Sequence, residues 1–114
     1  MATSWDQQKF FASLGPMQSM AEVFLQAFLQ SVQSNLSALT LAQQQQDYQQ
    51  IHRIAHSIKG SAGQICCSLL AAQAAQLEFC ALHEINKVHP AIDTLLEQAE
   101  QDCNSIRLFL NAKR

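Results

Sequence analysis

Helix breakers are almost missing from this sequence. Three glycines and two prolines occur among 114 residues, while apolar side chains return at intervals of three and four along nearly the whole length. A chain patterned in this way is confined to a few long amphipathic helices. No stretch of useful length alternates with period two, so a sheet is not expected. With 48% of residues hydrophobic, a chain of this size buries roughly two-thirds of its unfolded surface and holds a core without metals or disulfides. Its polar faces are solvated by amides more than by charge, with 17 glutamines and only 14% charged residues. Six of those glutamines fall between Gln43 and Gln50, which reads as a helix end and loop.

The net charge of −2, with Lys and Arg scattered, leaves no electrostatic footprint for nucleic acid or an anionic membrane. No run approaches the roughly 18 apolar residues of a membrane span, and Met1 to Asp6 lack a basic region followed by an apolar one. Two of the four cysteines, Cys66 and Cys67, are adjacent, which argues against a disulfide scaffold and for a reducing, cytoplasmic setting.

Punctuation sets the elements. Asp6 caps a short helix running to about Leu14, which Gly15-Pro16 stops. Ser19 to Glu22 fit an S-x-x-E capping box for a long helix striped by Phe24, Phe28, Val32, Leu36 and Leu39, widened by Leu25 and Leu29. Asp47 caps the next, with Ile51, Ile54, Ala55, Ile58, Ala62 and Ile65 facing inward. Leu70, Ala74, Leu77 and Ala81 make a further stripe. After a loop from His83 to His89, Pro90 opens the last helix, striped by Ile92, Leu96, Ala99, Cys103, Ile106 and Leu110. The expectation is one all-α domain over residues 1–114: an antiparallel four-helix bundle with a short additional N-terminal helix across one end. Cys80 and Cys103 fall in or beside apolar stripes and belong to the core.

Chemistry concentrates on the segment from Ala55 to Gly63. At about 100° per residue, the isoleucines gather on one side, while His52, His56, Lys59, Gly60 and Gly63 fall within roughly 60° of His56 on the other. Two glycines inside a helix give up about 2 kcal/mol relative to alanine. Either a neighbouring helix end packs against them, or their bareness lets another surface approach His56. A neutral imidazole, with a reference pKa of about 6.5, is a nucleophile near pH 7 that needs no activating base. Lys59, one turn further, offers positive charge to a phosphoryl group.

Ala55-His56-Ser57-Ile58-Lys59-Gly60-Ser61-Ala62 resembles the A-H-x-[LI]-K-G-[SA]-[SA] signature of histidine-containing phosphotransfer (HPt) domains of two-component phosphorelays. The resemblance implies that His56 accepts a phosphoryl group from a receiver-domain aspartate and passes it to another receiver. It implies that Lys59 supplies charge to the phosphoryl group and Gly60 allows close approach. The family's Leu-[Glu/Gln] pair maps to Leu77-Glu78, where Glu78 would accept a hydrogen bond from Nδ1 of His56 and leave Nε2 as nucleophile. Asp6, Leu14 and Gly15 also resemble the family's N-terminal stretch. One position departs: the family commonly has glycine ten residues after the histidine, where this chain has Cys66.

The expected receiver-docking face comprises His52, Arg53, His56, Lys59, Gly60, Gly63, Gln64 and, if the helix runs on that far, Cys67. No cofactor is expected on the chain; Mg2+ would arrive with the response-regulator receiver domain, since no carboxylate cluster accompanies His56. Three glycines and 114 residues leave no place for an ATP-binding lobe, so a phosphoryl carrier is expected and not a kinase. The chain would be a cytoplasmic protein or the cytoplasmic C-terminal domain of an inner-membrane hybrid sensor kinase. Two other functions compete: a metal- or haem-binding bundle using His52 and His56, completed by Cys66, Cys67, His83 or His89, and a non-catalytic helical adaptor.

Overall fold

Five α-helices account for most of residues 2–113, which the computed structural model describes: α1 (Gln7–Leu14), α2 (Ala21–Gln44), α3 (Tyr48–Gln64), α4 (Ser68–His83) and α5 (Val88–Ala112). Two short 3₁₀ segments, Gly15–Met20 and Ile85–Lys87, lead into α2 and α5. The four long helices pack as a bundle 42 Å long, with α3 and α4 the most closely paired. Among the described residues no helix is long and apolar enough to cross a membrane.

Asp6 and Asp47 cap α1 and α3 as their sequence positions predict: each carboxylate accepts from the amide three residues on, Lys9 and Gln50. The capping box at Ser19 does not form. Gly15-Pro16 ends α1 and opens a 3₁₀ segment that takes in Ser19 and kinks at Met17; Met20, with no side-chain bond, is the residue that precedes α2. The inward stripe of α3 is buried as expected. On α2 the buried line runs through Leu25, Phe28, Val32 and Leu39, with Phe24, Leu29 and Leu36 only half-buried beside it. On α5, Leu95 lies in the core where the pattern points to Leu96.

The rest of the expected α5 stripe is buried, and the N-terminal segment widens that buried face. Asp102 and Gln98 are fully buried. The Asp102 carboxylate accepts from the Ser4 amide and hydroxyl (2.5 and 2.7 Å), the Thr3 hydroxyl (3.0 Å) and the Gln98 amide (3.0 Å). These bonds lay residues 2–5 along α5 and satisfy a carboxylate that burial would otherwise penalise. Trp5 then packs edge-on to Phe109, and Phe10 and Phe11 extend the aromatic cluster over the end of the bundle.

The same segment reaches the α3–α4 turn, where the Asp6 amide donates to Cys66 O at 2.9 Å. α3 ends at Gln64 in a Schellman motif: the Cys67 amide returns to Ala62 O (2.9 Å), the Cys66 amide to Gly63 O (3.3 Å), and Cys66 takes a left-handed φ of 68°. The glycine that the resemblance leads one to expect at Cys66 is therefore a conformational requirement, met here by a residue with a Cβ. α2 ends alike, with Gln46 at φ 54° and the Asp47 amide bonded to Ala42 O.

Candidate functional site

His56 stands on the outer face of α3, its side chain 68% exposed, opposite Glu78 on α4. Its Nδ1 lies 2.7 Å from Glu78 Oε2. A carboxylate only accepts, so Nδ1 carries the proton and Nε2 presents its lone pair outward. The other carboxylate oxygen, Oε1, accepts from Lys59 Nζ at 2.7 Å. A single carboxylate, 16% exposed, thus joins the imidazole and the ammonium of two successive turns of α3. The Lys59 hydrogen bond, then that of His56, outweighs the opposing effect of burial and holds the Glu78 carboxyl below the ordinary glutamate range.

Antiparallel packing explains why one residue serves both. Helical side chains lean toward their own N-terminus, so Glu78 leans toward the C-terminal half of α3, where His56 and Lys59 sit. Its backbone carbonyl points the other way, and His52 meets it with Nδ1 at 3.0 Å. His52 is consequently half-buried against α4 and less open than His56. Arg53 is exposed but turns back along its own helix to Gln50.

Gly60 and Gly63 face open space, with no neighbouring helix end against them. A Cβ built on either meets nothing within 4 Å, and neither has a positive φ, so no internal packing or turn demands glycine there. Of the three positions with positive φ, only Gly15, at the end of α1, is glycine; Gln46 and Cys66 are not. Glycine is placed where it bares the helix surface beside His56 and Lys59. Gln64 extends that exposed strip.

Cys67 does not belong to it. The helix stops short of it, and its side chain is fully buried, with burial first and the neighbouring Asp102 second pushing the thiol's pKa far up. It packs the turn and offers nothing to a partner. Cys80 and Cys103 are buried as expected, and burial raises the Cys103 thiol to about 11. Among the described residues no group of three or more His, Cys, Asp or Glu side chains is placed to hold a metal ion. Both Nδ1 atoms of His52 and His56 are engaged by Glu78, and His89 pairs with Gln43.

Sequence reasoning passes over two residues of α4. Phe79 and Leu82 are 49% and 52% exposed, and Leu82 lies one turn from Glu78 on the same side. Phe79 packs against His83 with ring centroids 4.7 Å apart and the rings tilted by 40°. An excess of apolar positions over one stripe in α4 is the signal that could have marked them.

Comparison with known proteins bears on the family and the fold. A family model described as Hpt domain matches residues 23–107, which takes in α3 and α4 but neither α1 nor the segment before it. The fold is similar over the full length of both chains to the crystal structure of histidine-containing phosphotransfer protein B (HptB) from Pseudomonas aeruginosa PAO1, with a TM-score of 0.90 and 23% identity. No curated protein sequence matches the chain.

Proposed function

The chain belongs to the Hpt domain family and is a phosphorelay intermediate of two-component signal transduction, and on that premise we propose that His56 is its phosphoacceptor. Supporting this is one arrangement: an exposed imidazole whose Nδ1–H is held by Glu78 and whose Nε2 faces solvent across a strip of bare backbone.

A receiver domain docks against α3 and α4 around His56, Arg53, Lys59, Gly60, Gly63 and Gln64, with Phe79 and Leu82 as apolar flank and the outer edge of His52 at the border. Nε2 of His56 attacks the phosphorus of the receiver's aspartyl phosphate in line. The N–P bond forms, the bond to the aspartate oxygen breaks, and the aspartate leaves as carboxylate. Nδ1 keeps its proton, so the phosphorylated ring is cationic, and the Glu78 carboxylate stabilises the charge that develops on it. Transfer to a second receiver reverses these steps. Through a loose, metaphosphate-like transition state, positioning and charge do most of the work. Lys59, freed from Glu78 as the ring becomes positive, turns its ammonium to the phosphoryl oxygens. Glu78, the carboxylate beside His56, is already engaged twice and does not suit a metal; Mg2+ comes with the receiver.

Incubation with a phosphorylated receiver tests the assignment. Acid-labile, base-stable label on the wild type and none on His56→Gln is the expected result; equal labelling of the two proteins would refute it. Lys59→Ala should slow transfer on the order of tenfold or more while weakening docking less. A lysine that only aided docking would show the reverse.

A further inference from the structure

We propose that His52 is a positioning residue for His56, acting through the backbone of Glu78. The inference rests on His56 being the phosphoacceptor. His52 lies one turn before His56 on the same face of α3, half-buried against α4, and its Nδ1 is 3.0 Å from Glu78 O. A carbonyl oxygen only accepts, so Nδ1 donates. The Glu78 carbonyl has two lone pairs: the helical bond toward Leu82 uses one, and His52 takes the other.

Glu78 is therefore gripped at both ends. Its carbonyl is held by His52 and its carboxylate by His56 and Lys59. The three α3 residues lie on successive turns of one helix, so their spacing is fixed, and the contact at His52 sets where along α3 the carboxylate is delivered. Without it, α4 can slide or roll locally, and a shift of a fraction of an ångström lengthens a 2.7 Å hydrogen bond that chooses the tautomer of His56. The neutral Nδ1–H tautomer and the imidazolium both donate from Nδ1, so the grip holds in either protonation state of His52.

This role differs from that of a docking residue by what it moves. In His52→Phe the ring volume is kept and the donor removed; in His52→Asn the amide nitrogen stands where Nδ1 stood. Long-range 15N–1H spectra of the imidazoles, recorded without any phosphodonor, read the ring state of His56 directly. Wild type and His52→Asn should show His56 protonated at Nδ1, whereas His52→Phe should show a share of the Nε2–H form. Transfer from a phosphorylated receiver should fall on the order of tenfold in His52→Phe and be largely restored in His52→Asn. If the phenylalanine variant does not fold, His52→Ala takes its place in both measurements. An unchanged His56 ring signature in the variant lacking the donor overturns the proposal, as does an asparagine variant as slow as the phenylalanine one. Because the spectra need no phosphoryl donor, their outcome is separate from any failure of His56 to take label.

Discussion

Glu78 carries three interactions on one residue, two of them through its carboxylate. Since its folded-state pKa is lowered, chiefly by the Lys59 hydrogen bond, it stabilises the fold above the ordinary glutamate range, and that contribution disappears as pH falls through the lowered value. Glu78→Gln should therefore flatten the acid side of a stability profile, measured as melting temperature against pH, with little change near neutrality in the profile's shape. The glycines make the opposite kind of prediction. With open space at both and helical backbone, Gly60→Ala and Gly63→Ala should each stabilise the protein by about 1 kcal/mol, readable by urea titration. Gly60→Leu should keep the fold and cut transfer, because the added side chain occupies the approach to His56. Normal transfer in that variant would remove the argument from access.

At the scale of elements, helix ends separate what a sequence can say from what it cannot. Asp6 and Asp47 were legible because an N-cap is a local arrangement of one side chain and an amide three residues away. Ser19 misleads for an equally physical reason: a capping box needs extended backbone before it, and the 3₁₀ turn begun at Pro16 denies it. The end of α3 is not marked by glycine. Cys66 takes the left-handed conformation because Schellman bonds on one side and the Asp6 amide on the other fix the turn. Cys66→Gly should relieve the Cβ strain and stabilise by about 0.5–1 kcal/mol, after the added freedom of the unfolded chain is set against it. Destabilisation in a urea titration would contradict this reading of the turn. The bonds from α4 to His56 and Lys59 are of another kind. Periodicity places His56, Lys59 and Gly60 on one face, but only helix pairing brings Glu78 to them, and before the structure that pairing rested on resemblance.

Across the whole molecule, the N-terminal segment ties the bundle's end to the turn that finishes α3. Its keystone is Asp102, a buried carboxylate that no apolar pattern announces, since three of its four donors lie some hundred residues away in sequence. Asp102→Ala strands the Ser4 amide and three further donors and should destabilise by about 3 kcal/mol, with hydrogen exchange at the Asp6 amide accelerated more than at the α3–α4 contact. The low overall charge, −2 on 114 residues, has its consequence at this scale too. Docking through bare backbone, Phe79 and Leu82 should depend only weakly on ionic strength. Under the proposed function these features converge on one end, an imidazole held at Nδ1 by Glu78 with its outer nitrogen free. The most direct test of that is to phosphorylate the protein from a receiver and locate the phosphorus by 31P and 15N NMR. Phosphorus bonded to Nε2 of His56, with Nδ1 still protonated, is the predicted result; phosphorus on Nδ1, on another histidine, or nowhere on the chain would contradict it.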